Sequence, residues 1–242
     1  MRQHDHAASG DRPVTLITGG STGIGAAVAR QLLDRGHRVV VLARDQDRLD
    51  QFVAEADGPP ELIAVQGDAS DYDTVQETVQ KAIATFGRLD NAVANAGFAT
   101  HDNLATGDPG GWREMVLTNV LGPMLLIRAT VEALRATRGR IVLVGSIVGQ
   151  LHNRGNIYGA TKWAIRGLAE NARLLVAEDG IGVTLIAPGR VDTPFWEDSR
   201  RGAPSGPILS ADQVAETIVW ALSQAPGVDV NTIVVRPTGS PI

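Results

Sequence analysis

The stretch "YGATK" places a tyrosine and a lysine, Tyr158 and Lys162, four residues apart in the sequence. On a helix this spacing puts the two side chains on one face, about one turn apart. A phenol with its usual pKa of ~10 is a poor proton shuttle near neutral pH, whereas a neighbouring ammonium favours the phenolate and lowers that pKa. The pair therefore suits proton transfer, although ordinary amphipathic helices carry the same spacing.

A glycine-rich segment near the N-terminus has the composition of a phosphate-binding loop. "TGGSTGIG", residues 18–25, follows the strand-like run "VTLIT" and leads directly into a helical pattern. Its glycines permit a tight turn and close backbone approach, while the helix N-terminus offers free N–H groups to a pyrophosphate. The alternative is a βα turn whose glycines serve packing alone. The expected cofactor contacts are Gly19, Ser21, Thr22, Gly23, Ile24 and Gly25.

The residues after the second strand bear on the choice of dinucleotide. Folds that select NAD usually place an acid here, which accepts a hydrogen bond from the ribose 2′-hydroxyl. This chain instead has Ala43 followed by Arg44, with Asp45 one position later. A guanidinium pairs with a 2′-phosphate, which a carboxylate would repel. The sequence therefore favours NADP(H) over NAD(H), unless Arg44 is only a solvated loop cation.

The elements that must position these residues alternate along the chain. The longest helices are expected at residues 112–137 and 156–178. The pattern predicts an α/β fold, a single doubly wound Rossmann-type domain with helices on both faces of a parallel sheet of seven strands, in the order 3-2-1-4-5-6-7. Residues 13–242 are assigned to this domain and residues 1–12 to a flexible tail. The strand-like runs are 14–18, 38–43, 61–66, 89–94, 140–145, 182–187 and 231–236.

Composition narrows the function classes. The 242 residues include no cysteine, which excludes disulfides, thiolate nucleophiles and cysteine-based metal sites. A net charge of −5 without a long basic run argues against a nucleic-acid partner or an anionic membrane surface. No run approaches the ~20 apolar residues of a membrane span, and a cytoplasmic protein is expected. The histidines, at positions 4, 6, 37, 101 and 152, lack metal-ligand spacing, so no metal is expected.

Short motifs at the ends of the expected elements resemble those of the classical short-chain dehydrogenases/reductases over residues 13–236. After the glycine loop come "DAS", "ANAG", "TNVLG", "GSIVG", "YGATK" and "APGRVDTPF", in that order. In "ANAG", Ala94 stands where the family has its first Asn. The resemblance implies catalytic roles for Asn119, Ser146, Tyr158 and Lys162. It implies cofactor contacts by Asp68, Ala69, Asn95, Ala96, Gly97, Tyr158, Lys162, Pro188, Gly189, Val191 and Thr193, with Asn95 also stabilising the sheet.

By this resemblance the chain is expected to transfer a hydride between NADP(H) and a secondary alcohol or ketone, as a carbonyl reductase or as a hydroxy-acid or alcohol dehydrogenase. Ser146 would donate a hydrogen bond to the substrate oxygen, and Tyr158 would carry the proton. Lys162 would also hold the nicotinamide ribose, and Asn119 would position a water between Lys162 and solvent. Two alternatives stay open: an isomerase or epimerase that retains its cofactor, and a non-catalytic dinucleotide sensor. Retention of both Tyr158 and Lys162 disfavours the sensor.

The residues expected to contact the substrate are inferred mainly from their positions near the motifs in the sequence. Residues 194–209, "PFWEDSRRGAPSGPIL", are rich in Gly, Pro and Ser and suit a mobile lid. Tyr158 follows Ser146 by 12 positions, one fewer than is common in the family, so the connecting loop is expected to have an unusual shape. The family's long helices form dimer interfaces, which implies a homotetramer here. The predicted substrate contacts are Phe98, Ser146, Val148, His152 and Trp196, with Leu151, Asn153 and Arg154 as further candidates.

Overall fold

Strands and helices alternate along the chain in this computed structural model, which describes residues 12–197, 199, 202 and 205–239. The strands are β1 (Val14–Thr18), β2 (Arg38–Ala43), β3 (Leu62–Gln66), β4 (Asn91–Ala94), β5 (Arg140–Val144), β6 (Gly182–Pro188), β7 (Val191–Asp192), β8 (Leu209–Ser210) and β9 (Thr232–Val235). The α-helices are α1 (Gly23–Asp34), α2 (Gln46–Glu55), α3 (Tyr72–Phe86), α4 (Pro109–Val116), α5 (Gly122–Thr137), α6 (Ile157–Val176) and α7 (Ala211–Leu222). Short 3-10 turns lie at Ile147–Gly149 and Pro194–Trp196.

The main sheet has seven parallel strands in the order β3-β2-β1-β4-β5-β6-β9. β1 lies inside the sheet, where Ile17 pairs with Val41 of β2 on one side and with Val93 of β4 on the other. The predicted fold class and strand order are confirmed. The strand predicted as the seventh is β9, because two strands of two residues each precede it along the chain.

The central strands are buried on both faces because alternate side chains enter separate hydrophobic clusters. Leu16 of β1 packs in a cluster with residues of α3, α5 and α6, whereas Ile17 packs with residues of α1, α2 and α7. Burying one such side chain contributes about 1.5–3 kcal/mol, and burial on two faces produces the continuous apolar runs seen in the sequence. From β1 the successive strands are added toward one edge of the sheet, and from β4 toward the other edge. In sheets of this kind the ligand binds at the carboxyl ends of the strands where the order changes, here β1 and β4.

A separate pair of short parallel strands fixes the base of the predicted lid. Val191 of β7 pairs with Leu209 of β8, and Asp192 pairs with Ser210. The two ends of the segment 193–208 are therefore held next to each other. Within the lid predicted at 194–209, residues 198, 200, 201, 203 and 204 lie outside the described residues.

The helix predicted at 112–137 starts at Pro109 and consists of α4, a π-helical turn and α5. Its first turn is capped by Asp108, whose carboxylate accepts hydrogen bonds from the backbone of Gly110 and Gly111. A π-helical turn at Leu117–Leu121, which includes Asn119, joins α4 to α5; such turns often occur at functional sites. The run 109–137 is long and apolar enough to cross a membrane by length and composition alone, but α5 packs against α3, β4 and α6.

The predicted N-terminal tail lies outside the described residues, except for Arg12. The Arg12 guanidinium donates a hydrogen bond to Glu61 Oε1 at 2.7 Å, immediately before β3. The chain is thus attached to the edge of the sheet from the first residue that the structure describes.

Candidate active site

The loop between β1 and α1 is compact because its glycines adopt conformations that other residues avoid. Gly19 has a φ of +65° and Gly23 a φ of +53°, both in the left-handed region. A Cβ atom at Gly25 would lie 2.2 Å from the carbonyl oxygen of Gly19 and 2.6 Å from Asn95 Nδ2. The first turn of α1 has no side-chain cap, so its backbone N–H groups face the loop and can bind an anion.

Asn95, at the end of β4, holds the same loop from the opposite side. Its Nδ2 donates to the carbonyl oxygens of Thr18 at 3.1 Å and Gly19 at 2.9 Å. Thr18 Oγ1 accepts from the backbone N–H groups of Asn95 and Ala96, each at 3.2 Å. These bonds join β1 to β4 where the winding of the sheet reverses, so Asn95 stabilises the sheet and the loop together.

Two cavities meet over this loop. The large cavity, about 700 Å³, extends from the loop to α6 and the 3-10 turn at Pro194–Trp196. The small cavity, about 290 Å³, extends from the loop to the ends of β2 and β3. The residues that line both are Gly19, Thr22, Ala96 and Gly97. The resulting groove crosses the carboxyl ends of the strands, a shape that fits a dinucleotide with its pyrophosphate on the glycine loop.

Three of the four residues predicted to be catalytic lie in the wall of the large cavity: Ser146, Tyr158 and Lys162. Ser146 follows β5, and Tyr158 is in the first turn of α6. The start of α6 is fixed by Asn156, whose Oδ1 accepts from the N–H of Gly159 at 2.9 Å. Lys162 is only 5% exposed, and its Nζ lies 5.6 Å from the centre of the Tyr158 ring.

The charge states of Tyr158 and Lys162 are set mainly by burial. Burial raises the pKa of the Tyr158 phenol well above its usual value of 10, while the hydrogen bond with the Ser146 side chain lowers it by less. Burial also lowers the pKa of Lys162 from 10.5 to about 8, and the ammonium donates to the Val144 carbonyl oxygen at 2.9 Å. The lowered Tyr158 pKa predicted from the sequence is therefore not found, because removing the phenol from water has the larger effect.

The Ser146 hydroxyl has more than one contact. Its Oγ accepts a hydrogen bond from the backbone N–H of Val148 at 3.4 Å and so caps the 3-10 turn at Ile147–Gly149. A bond of this length is weak, and the same hydroxyl interacts with the Tyr158 phenol. Because Ser146 Oγ accepts in the cap, its proton stays available for donation toward the cavity.

Asn119 lies behind the cavity wall. Its side chain is buried, and Oδ1 accepts from the backbone N–H of Phe98 at 3.0 Å. Its Nδ2 donates to the carbonyl oxygen of Phe98 at 2.9 Å and to Thr161 Oγ1 at 3.1 Å. The amide thus holds the loop after β4 against α6. Both Nδ2 hydrogens are used in these bonds, whereas Oδ1 keeps a second lone pair that can accept from the predicted water.

The small cavity contains opposite charges. Arg44 and Asp68 both line it, and Arg44 Nη1 lies 4.0 Å from Asp68 Oδ2. Asp68 Oδ1 accepts from the backbone N–H and the hydroxyl of Ser70, both at 2.8 Å. The Arg44 guanidinium lies 5.8 Å from the centre of the Phe98 ring. The cavity therefore offers a cation for a phosphate and an acceptor for an amino group.

A second arginine, Arg48, also lines the small cavity and was missed by sequence analysis. Its backbone N–H donates to Asp45 Oδ1 at 3.1 Å, which makes Asp45 the N-cap of α2. The carboxylate nearest to the end of β2 in sequence is thereby engaged by the helix. Arg48 Nη2 donates to Glu197 Oε2 at 2.8 Å, which links α2 to the predicted lid.

Comparison with known proteins assigns the family. The profile of the family described as short chain dehydrogenase matches residues 13–204. The chain belongs to this family. An uncharacterized oxidoreductase of Staphylococcus saprophyticus is 32% identical to it, over 93% of this chain and 97% of that protein. Dehydrogenase/reductase SDR family member 11 of Bos taurus is also 32% identical, over 93% of this chain and 96% of that protein.

Solved structures of similar proteins share the fold of this short-chain dehydrogenase. An alcohol dehydrogenase from the archaeon Thermococcus sibiricus, complexed with 5-hydroxy-NADP, is 29% identical with a TM-score of 0.84, and the match covers 95% of this chain and 98% of that chain. ElxO with NADP bound is 26% identical with a TM-score of 0.83, covering 93% and 97%. Levodione reductase is 26% identical with a TM-score of 0.84, covering 92% and 95%.

Most of the predicted residues of this short-chain dehydrogenase line one of the two cavities. Those on the large cavity are Gly19, Thr22, Gly23, Ile24, Asn95, Ala96, Gly97, Ser146, Val148, Tyr158, Lys162, Pro188, Gly189, Val191, Thr193 and Trp196. Those on the small cavity are Gly19, Ser21, Thr22, Arg44, Asp68, Ala69, Ala96, Gly97 and Phe98. Neither cavity is lined by Gly25, Asn119 or His152.

Two predicted substrate contacts lie away from the large cavity. Phe98 lines the small cavity, because Asn119 holds its backbone on both the N–H and the carbonyl side. The His152 ring stacks on Trp163 of α6, with ring centres 5.5 Å apart and planes inclined by 14°. Neither residue is part of the wall of the large cavity.

An aromatic wall of the large cavity contains the predicted substrate residue Trp196, together with His101, which sequence analysis missed. His101 Nε2 lies 3.1 Å from the carbonyl oxygen of Phe195, and the His101 ring centre lies 5.2 Å from that of Phe195 and 5.5 Å from that of Trp196. Phe195 in turn lies 5.4 Å from the Tyr158 ring. The run "PFW" in the predicted lid signalled part of this wall, whereas His101 is an isolated loop residue that no pattern marks.

Proposed function

We propose that this short-chain dehydrogenase is an NADP(H)-dependent oxidoreductase that transfers a hydride between the cofactor and a secondary alcohol or ketone. The observation that carries this proposal is the presence of Ser146, Tyr158 and Lys162 in one cavity wall beside the glycine loop. The dinucleotide supplies the hydride, so the protein has to orient a carbonyl group and provide a proton. Two similar proteins have structures with NADP or 5-hydroxy-NADP, which supports the cofactor class.

Each of the three residues has a distinct task in the proposed reduction. Ser146 donates a hydrogen bond to the carbonyl oxygen and stabilises the negative charge that develops there. Tyr158 gives its phenolic proton to the same oxygen and is reprotonated from solvent. Its raised pKa keeps the phenol protonated near neutral pH, as an acid requires. The Lys162 ammonium, 5.6 Å from the ring centre, stabilises the phenolate as it forms.

The small cavity supports the preference for NADP(H) over NAD(H). It contains the guanidinium groups of Arg44 and Arg48, and Ala43 stands where an acid would repel a 2′-phosphate. Asp45, the acid next along the chain, is held as the cap of α2. A guanidinium binds a phosphate through charge-assisted hydrogen bonds, which are about twice as strong as neutral ones.

A pair of tyrosine variants tests the proposed reaction. Tyr158→Phe removes the proton donor, so kcat in ketone reduction should fall by about a hundredfold or more, while NADPH affinity from a fluorescence titration stays the same. The control is Tyr72→Phe in α3, which changes the only other tyrosine of the chain and should keep full activity. Turnover by Tyr158→Phe within about tenfold of wild type would contradict the proposed role.

The same assay separates the two alternatives. A ketoreductase consumes NADPH in proportion to the ketone added, whereas an isomerase or epimerase returns the hydride and shows no net consumption. A dinucleotide sensor would bind NADPH and reduce none of the ketones tested.

We also propose that the enzyme is a homotetramer that acts in the cytoplasm. In α6, Leu174 is 81% exposed and Leu175 64% exposed, and Met124 of α5 is exposed as well. Apolar side chains on long helices favour burial against another copy of the chain. Equilibrium sedimentation measures the mass, and Leu174→Glu should give a smaller species. A monomeric wild type would contradict the assembly, and cell fractionation tests the location.

A further inference from the structure

The charged groups in the wall of the large cavity are mainly cationic. Lys162, Arg154 and Arg190 line the cavity, and the only acid in its described wall is Asp102. Charge of one sign in a cleft attracts ligands of the opposite sign. A charged group that already forms hydrogen bonds within the protein is less available to a substrate than one that forms none.

Asp102 is fully engaged by its own loop. Its Oδ1 accepts from Thr100 Oγ1 at 2.5 Å, and its Oδ2 accepts from Trp112 Nε1 at 3.0 Å and from the backbone N–H of Asp108 at 3.2 Å. Burial acts to raise the Asp102 pKa, but these hydrogen bonds together outweigh it and leave the pKa below its usual value. The carboxylate is therefore ionised and used to hold the loop before α4, which makes it a poor partner for a cationic substrate.

Two of the three cations also have protein partners. Lys162 Nζ donates to the Val144 carbonyl oxygen at 2.9 Å. Arg190 Nη1 donates to the carbonyl oxygen of Ser205 at 3.1 Å, within the lid segment. Arg154 is different, since it has no hydrogen bond or ion pair with any residue in the described part of the chain and its side chain is exposed to the cavity.

The backbone around Arg154 is held in place although its side chain is not. The carbonyl oxygen of Gly155 accepts from the N–H of Leu104 at 3.1 Å, which ties this loop to the loop before α4. The N–H of Asn156 donates to the carbonyl oxygen of Asn153 at 3.2 Å and closes a turn just before α6. Arg154 thus projects from a fixed turn four residues before Tyr158, in a cavity that the apolar rings of the lid also line.

We propose that the substrate is a carbonyl compound, or the corresponding alcohol, that carries a carboxylate, and that Arg154 binds this carboxylate. The planar guanidinium matches a carboxylate with two parallel hydrogen bonds. The apolar part of the substrate then packs against Phe195 and Trp196, while its carbonyl meets Ser146 and Tyr158. This inference rests on the proposed function, because it adds a carboxylate to the alcohol or ketone that the proposed reaction requires.

Binding without turnover tests the role of Arg154 by itself. The affinity of the NADP⁺-saturated protein is measured by calorimetry for butanoate, hexanoate and octanoate, each beside the amide and the amine of the same chain length. We expect the carboxylates to bind about tenfold to a hundredfold more tightly than the amides. Arg154→Gln should abolish this preference, and Arg154→Lys should retain part of it. The control is Arg166→Gln, an exposed arginine of α6 outside the cavity wall, which should leave the preference unchanged.

Four results of this binding experiment would overturn the inference. Two concern the carboxylate itself: no detectable binding, or an affinity equal to that of the amide. The others are tighter binding of the amine and a carboxylate preference that survives Arg154→Gln.

Turnover distinguishes a failure of this inference from a failure of the proposed function. NADPH consumption is measured with benzoylformate and levulinate, each beside its methyl ester. If keto acids are reduced with a lower KM than their esters, and Arg154→Gln removes the difference, both ideas hold. If acids and esters are reduced equally well, the oxidoreductase stands and the carboxylate site is refuted. If Arg154 binds carboxylates and neither acids nor esters are reduced, the proposed hydride transfer fails.

Discussion

The two lysines of the chain allow a direct test of the charge that the active site buries. Lys162 is buried beside Tyr158, whereas Lys81 in α3 is exposed. Burial lowers the pKa of Lys162 from 10.5 to about 8. The charged form of Lys162 is therefore less stable in the folded protein than in the unfolded chain. This difference reduces the free energy of unfolding, and replacing Lys162 by Met removes the reduction.

The sign and size of the effect follow from proton linkage. Below pH 8 both folded and unfolded wild type keep the proton, and the penalty is complete. Between pH 8 and pH 10.5 the unfolded chain binds more protons than the folded one, so the free energy of unfolding rises with pH. Each pH unit adds about 1.4 kcal/mol. Wild type should therefore gain about 3 kcal/mol relative to Lys162→Met across this window.

Denaturant unfolding at a series of pH values measures this gain. Lys162→Met also loses the hydrogen bond to the Val144 carbonyl oxygen. This loss changes the difference in free energy of unfolding between the two proteins by a constant and leaves its pH dependence unchanged. Titration of other groups is common to both proteins and cancels. The control, Lys81→Met, changes an exposed lysine outside the site and should keep the pH dependence that Lys162 confers. In wild type labelled with ¹⁵N-lysine, the Lys162 Nζ signal measures the Lys162 pKa directly.

A flat difference between wild type and Lys162→Met from pH 8 to pH 10.5 would refute the reasoning, as would a Lys162 Nζ signal whose midpoint is not lowered from 10.5.

Three other predictions concern the cofactor side and metals. Gly25→Ala should weaken NADPH binding at least about tenfold, because its Cβ would lie 2.2 Å from the Gly19 carbonyl oxygen. The matched control is Gly167→Ala in α6, whose Cβ would have no atom of the described residues within 4 Å and which should bind NADPH normally. Equal NADPH affinities of the two variants would contradict the role of the glycine loop. Wild type should favour NADPH over NADH about tenfold to a hundredfold in kcat/KM. The double variant Ala43→Asp with Arg44→Leu should reverse this preference. Equal kcat/KM for both cofactors in wild type would show that Arg44 does not select the cofactor. Overnight EDTA treatment should leave activity intact, and a loss restored by Zn²⁺ or Mg²⁺ would be evidence against the mechanism.

The parts of the fold that could be predicted from the sequence are those with a local signal. The strand runs and their order follow from apolar patterning along the chain, and the motif residues Ser146, Tyr158 and Lys162 lie at element ends as expected. β7 and β8 were missed because two residues are too few to show a period. The π-helical turn around Asn119 was missed because it interrupts a helix without a change in composition.

The predictions from which the structure departs depend on contacts between distant residues. Phe98 was expected at the substrate, but its direction is set by Asn119, 21 positions away. His152 was expected there too, but it stacks on Trp163. The Tyr158 pKa was expected to fall because a lysine neighbour is visible in the sequence, while the depth of burial is not.

The ion pair between Arg48 and Glu197 joins α2, beside the small cavity, to the segment that is the predicted lid. It spans 149 positions, and both side chains are exposed enough that its contribution to stability is small, about 0–1 kcal/mol. Its position matters more than its strength, because Arg48 both lines the small cavity and binds Glu197 in the predicted lid. Any exchange at Arg48 made to alter cofactor choice also releases Glu197. Libraries that vary the start of α2 should therefore be screened for changed substrate affinity as well as changed cofactor use.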